Sequence, residues 1–113
     1  MERLNHQIAM MRDRLFQALD RRRFQRLNGG VEINGMRHDT TPEARERLLW
    51  AIQALPKPDD GAMAIAAAIR NHMVATEEAY RDHRLRIEAI LAKRTKPENK
   101  LKGLEGYDVN AGW

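Results

Sequence analysis

Apolar positions recur along this chain with two periods. Between residues 3 and 27, Leu4, Ile8, Met11, Leu15 and Ala18 return at steps of four, three, four and three, and Phe16 and Leu19 widen the stripe. That spacing holds side chains on one face of an α-helix. Asn28-Gly29-Gly30 follows as a stop signal. The period then falls to two, in Val31-Glu32-Ile33 and Met36-Arg37-His38, either side of Asn34-Gly35. Both central residues of a type I′ turn need φ > 0, so Asn-Gly predicts a β-hairpin over about 31–38. A two-residue turn sets Val31 opposite His38, Glu32 opposite Arg37 and Ile33 opposite Met36. Val31, Ile33, Met36 and His38 then share one face, and the Glu32–Arg37 pair lies on the other.

Asp39-Thr40-Thr41-Pro42-Glu43 reads as a helix start. Either threonine can be the cap, and Thr40 with Glu43 also fits a capping box. The helix spans about 42–55, with Ala44, Leu48, Leu49, Ile52 and Leu55 on one side. Trp50 points elsewhere, as a lid on the hairpin or as a contact for a partner. Pro56 and Pro58 end this helix, and Asp59 or Asp60 caps the next.

The third helix covers about 60–93, on the order of 50 Å at 1.5 Å per residue. It starts with a smooth Ala-rich surface over 62–69. A stripe of Ile69, Met73, Thr76, Tyr80, His83, Ile87 and Ile90 follows, with Leu91 beside it. A helix of this length predicts an antiparallel pairing with the first helix or an intermolecular coiled coil. After Arg94 no stripe continues, yet Leu101, Leu104, Tyr107, Val109 and Trp113 punctuate the segment. The expectation is an extended tail docking on a neighbour by these pegs; the alternative is a tail folded back on its own helices. The fold class is therefore mainly α with one β-hairpin: a helical domain over 1–93 and a docking tail over 94–113. Leu4, Ile8, Met11, Leu15, Ile69, Met73, Tyr80 and Ile87 are the expected oligomer interface. Trp50 and the five tail pegs are the expected partner contacts.

Composition narrows the chemistry. The 113 residues carry 32% charge, a net +4, and only two each of Phe, Tyr and Trp, so large core side chains are scarce. Fifteen of the twenty basic residues are Arg, and Arg21, Arg22, Arg23 and Arg26 crowd the end of the first helix. Cations there offset the negative end of the helix dipole. The sharper reading is a contact to phosphate or to an acidic partner. No Cys and no Ser occur, which removes disulfides and the usual nucleophiles. No apolar run is long enough to span a membrane, and no secretory signal opens the chain. His6, His38, His72 and His83 form no ligand pair at i, i+4. His38 beside Asp39 is the one tempting pair, and Asp39 stands where a cap belongs. The expectation is a non-enzyme without catalytic residues, metal or cofactor.

The order of elements resembles a small domain of unknown function found in phage tail and tail-fibre-associated proteins. The resemblance rests on Val31, Ile33, Asn34, Gly35, His38, Asp39 and Thr40 in the hairpin and helix start. Arg45, Ala68, His72 and Met73 continue it, over about residues 20–92. The family's Trp-bearing segment between the last two helices is reduced here to Pro56–Ala62. The resemblance implies a structural or adaptor protein of the virion tail or its fibres, made in the host cytoplasm. Its partners would be other phage structural proteins and further copies of itself, with no membrane involved. Two rival readings stand beside it. One is nucleic-acid binding through Arg21–Arg26, and the other is a transient chaperone of tail or fibre assembly.

Overall fold

The computed structural model describes residues 2–54 and 60–113. Among these, four helices and one two-stranded antiparallel hairpin follow in order: α1 Glu2–Asn28, β1 Val31–Ile33, β2 Met36–His38, α2 Pro42–Ala54, α3 Asp60–Lys93 and α4 Pro97–Glu105. The expected mainly α fold with one hairpin is observed. Leu55, Pro56, Pro58 and Asp59, expected to close α2 and cap α3, lie outside the described residues. No helix among the described residues is long and apolar enough to cross a membrane.

The chain divides into two compact units. Residues up to Arg22 and Glu78–Trp113 form one; Arg23–Glu77 form the other.

In the first unit, Leu15, Leu19, Ile87 and Leu104 are the buried core. Ile8, Met11, Phe16, Tyr80, Ile90, Leu91, Tyr107, Val109 and Trp113 pack around it. The stripes of α1 and α3 thus cover one another within one chain. This corrects the assignment of the buried Leu15 and Ile87 to an interface between copies; Ile8, Met11 and Tyr80 pack against the same core. The physical reason is α4, which brings Leu104 onto the seam between Leu15, Leu19 and Ile87. Arg84 lies over the Phe16 ring at 4.5 Å and donates to the Tyr80 hydroxyl at 3.1 Å.

The C-terminal segment is the second correction. It is not extended over 97–105 but helical, with Pro97 in the first turn, where a missing N–H costs nothing. Gly103 lets α4 approach α3 closely, since a Cβ there would stand 2.6 Å from Ile90 Cγ2.

In the second unit the hairpin has the expected register: Val31 with His38, Glu32 with Arg37 and Ile33 with Met36. Asn34 at φ 51° and Gly35 at φ 79° make the turn. Thr41, not Thr40, caps α2: its Oγ1 accepts the Ala44 N–H at 3.3 Å. Thr40 is fully buried and accepts the Gly30 N–H at 2.9 Å, tying the start of the hairpin to its end. Asp39 accepts the Thr41 N–H at 2.9 Å. That hydrogen bond, helped by the Thr41 hydroxyl and the Arg47 charge, holds the Asp39 carboxyl below its usual range.

Candidate functional site

The last carbonyls of a helix have no partner within it, and at the end of α1 those of Gln25 and Arg26 find one outside it. Gly29 N–H donates to Gln25 O at 2.7 Å, and the Asn28 amide to Phe24 O at 3.0 Å. His72 of α3 lies 2.7 Å from Arg26 O, so Nε2 carries the proton and donates it. The Arg37 guanidinium donates to Gly29 O. His72 also fixes the buried Thr76, whose hydroxyl donates to His72 O at 2.8 Å. Asp39, Thr40 and His72, which carry part of the resemblance, all build this junction, while Gly35 makes the hairpin turn. They are satisfied structural groups, and His38 with Asp39 forms no acid–base pair.

The arginine cluster is drawn into the same scaffolding. Arg23 bonds Glu77 through Nε at 2.9 Å and Nη2 at 2.8 Å. Arg22 and Arg26 are half-buried, and Arg21 alone of the four is fully exposed. A phosphate-reading patch needs its guanidinium groups turned outward together, and the Glu77 carboxylate already takes one of the four.

The pegs of the C-terminal segment serve the chain's own core. Leu104 is fully buried, and Leu101, Tyr107, Val109 and Trp113 are half-buried. His83 organises the last residues. It is 2% exposed, Nε2 lies 2.7 Å from Ala111 O, and Nδ1 meets the Tyr107 hydroxyl. A carbonyl only accepts, so Nε2 is the protonated nitrogen and Tyr107 O–H donates to Nδ1. Trp113 stacks on the imidazole with centroids 5.1 Å apart, and its indole N–H donates to Val109 O at 2.6 Å. Burial pushes the Tyr107 hydroxyl above its usual range, against the nearby Arg86. Sequence reasoning placed His83 on the stripe but had no signal for its two partners.

Of the large apolar side chains left outward, Phe24, Met63, Val74 and Leu85 stand on α1 and α3, and two adjacent ones stand on α2. Ala44, Leu48 and Ile52 are the half-buried side, and Ala44 and Leu48 line a small groove with His38, Ile65 and Ile69. Each step along a helix turns about 100°, so Leu49 and Trp50 rotate away from this contact. Leu49 is 55% exposed and Trp50 67% exposed. Trp50 is therefore not a lid on the hairpin, and Leu49 leaves the packed side where the sequence placed it. Glu46 and Arg47 flank Trp50 one turn earlier, both exposed. Met36, on the apolar face of the ribbon by alternation, is also 67% exposed. Of the other expected interface positions, Leu4 is half-buried and Ile69 is buried. Met73 is half-buried, with its sulfur 3.4 Å from Arg45 Nη1.

Among the described residues no group of three or more His, Asp or Glu is gathered in a way that could hold a metal ion. Comparison with family models, with curated proteins and with solved structures finds no match for this chain.

Proposed function

We propose that the chain is a non-enzymatic structural or adaptor protein held in a larger assembly through the Leu49–Trp50 face of α2. The single observation that carries this reading is Trp50, a large aromatic left 67% exposed on a well-formed helix whose opposite side is packed. Aromatic anchors of this kind dominate the energetics of protein interfaces once a partner desolvates them. The resemblance in the hairpin and helix start supplies the setting: a bacteriophage particle, in its tail or fibres. Nucleic-acid binding through Arg21–Arg26 is the second reading, and the Arg23–Glu77 ion pair weighs against it.

The test is incorporation. A Leu49→Ala/Trp50→Ala variant keeps the packed side of α2 and is expected to fold with unchanged circular dichroism. Its binding is expected to weaken by about 2 kcal/mol or more, on the order of thirtyfold. Mass spectrometry of purified particles would then show the protein lost or strongly depleted. Unchanged incorporation of the variant would overturn the reading. So would absence of the wild-type protein from both particles and assembly intermediates. Presence in intermediates alone identifies a transient assembly factor using the same face.

A further inference from the structure

The two units are closed by different means. In the first, four apolar side chains, Leu15, Leu19, Ile87 and Leu104, are buried together. Among the described residues of the second, Ile69 is the one buried apolar side chain, and the other buried residues are Thr40 and Thr76. Leu27, Val31, Ile33, Leu48, Ile52 and Ile65 are only half-buried there. The large apolar side chains left exposed are distributed the opposite way. Phe24, Met36, Leu49, Trp50, Met63 and Val74 belong to the second unit, against Met10 and Leu85 in the first.

The ties of the second unit are polar. Thr40 accepts the Gly30 N–H, His72 donates to Arg26 O, and Thr76 donates to His72 O. Arg23 and Glu77, its first and last residues, form an ion pair with side chains 41% and 44% exposed. A hydrogen bond made in folding replaces one made to water, so its net contribution is smaller than that of a fully buried Leu or Ile. Solvent screens an ion pair this exposed. A two-stranded ribbon adds little stability of its own.

We propose that the second unit opens and closes on its own, while the Leu15–Leu19–Ile87–Leu104 core of the first stays shut. Segments with few buried apolar contacts open at a lower free energy than the core of the same protein, and the second unit is such a segment. The α2 face therefore stands on the less stable part of the chain. A partner that binds only the closed form shifts the unit toward it by mass action, so ordering of this unit becomes a step of assembly. That consequence rests on the proposed function; the opening itself does not.

Hydrogen exchange on the isolated full chain, at a pH where reclosing outpaces exchange, tests this. After correction for intrinsic rates, amides of β1, β2 and α2 are expected to exchange at least about tenfold faster than those of α1 from Ile8 to Arg22 and of α3 from Tyr80 to Leu91. Ile87→Val trims the core of the first unit by one methyl group and leaves a chain that folds. It is expected to speed exchange in the first unit roughly two- to tenfold. Rates in the second unit are expected to stay as they were, because that unit opens without disturbing the Ile87 core.

Equal protection in the two units overturns the proposal. So does an Ile87→Val chain in which every amide speeds up by the same factor, the mark of a single cooperative opening. If exchange is uniform yet incorporation into particles depends on Trp50, this inference fails and the proposed function stands. If the exchange pattern is as expected but incorporation ignores Trp50, the reverse holds.

Discussion

Leu104→Ala separates a C-terminal segment that builds the chain's own core from one that docks elsewhere. Leu104 is fully buried, in one cluster with Leu15, Leu19 and Ile87. Truncation removes three carbons at about 0.8 kcal/mol each, or about 2.4 kcal/mol of lost transfer energy. The cavity left beside Leu19 and Ile87 raises the expected cost to about 3–4 kcal/mol. Marginal stability makes that a large fraction of the total, and the midpoint should fall by on the order of 10 °C. Urea denaturation of the isolated protein checks it, with Trp113 as the reporter in a Trp50→Phe background. Trp113 stacks on His83, so its emission follows this unit. The midpoint should drop with the slope unchanged. A change below about 0.5 kcal/mol, the range of an ordinary surface substitution, would refute the packing described for α4.

Other consequences are open to similar checks. Gly103→Ala forces a methyl against Ile90 Cγ2 and the Arg94 guanidinium; thermal denaturation should show a loss of about 1–3 kcal/mol. Thr41→Ala removes a helix cap and should cost about 1 kcal/mol. Thr40→Ala strands the Gly30 N–H, and calorimetry should show about 1–3 kcal/mol. Tyr107 is held protonated by burial. Its contribution is fully present below the ordinary tyrosine value, and stability falls as pH rises through the higher folded value. Tyr107→Phe should flatten this alkaline limb in denaturation curves measured above neutral pH. Asp39 has the opposite sign: its carboxyl is held low, so its contribution is present at neutral pH. It disappears as pH falls through the folded value, and Asp39→Asn should remove that acid limb.

The local devices were legible because they depend on near neighbours. Asn34-Gly35 dictates its turn, the turn dictates the register, and Asp39 to Pro42 dictate where α2 begins. The bounds of α3 at Asp60 and Lys93 agree with the expected 60–93. What depended on distant partners was not legible. A stripe such as Leu15–Leu19 records that a face is covered but not by which chain. The covering residue, Leu104, is 85 positions from Leu19 in sequence. No stripe announces α4, although Pro97 with Glu98 beside it and Leu101 and Leu104 three apart fit a first helical turn. His83 offered no clue to Tyr107 and Ala111, which lie 24 and 28 residues away. Thr40 and Thr41 are both capable caps, and only the demand of Gly30 N–H for an acceptor decides between them. Leu49 shows the limit of a helical wheel: it lies at the edge of the apolar arc, and the neighbouring surface ends before reaching it.

On the proposed reading the C-terminal segment is spent on the chain's own fold, while Trp50 is kept for another molecule. Hydroxyl-radical footprinting reads both tryptophans at once, in the isolated protein and in purified particles. Trp50 is expected to be oxidised readily when the protein is alone and protected in the particle, with Trp113 shielded to the same degree in both. Equal labelling of Trp50 in the two states, or a Trp113 that gains protection only on assembly, would contradict it.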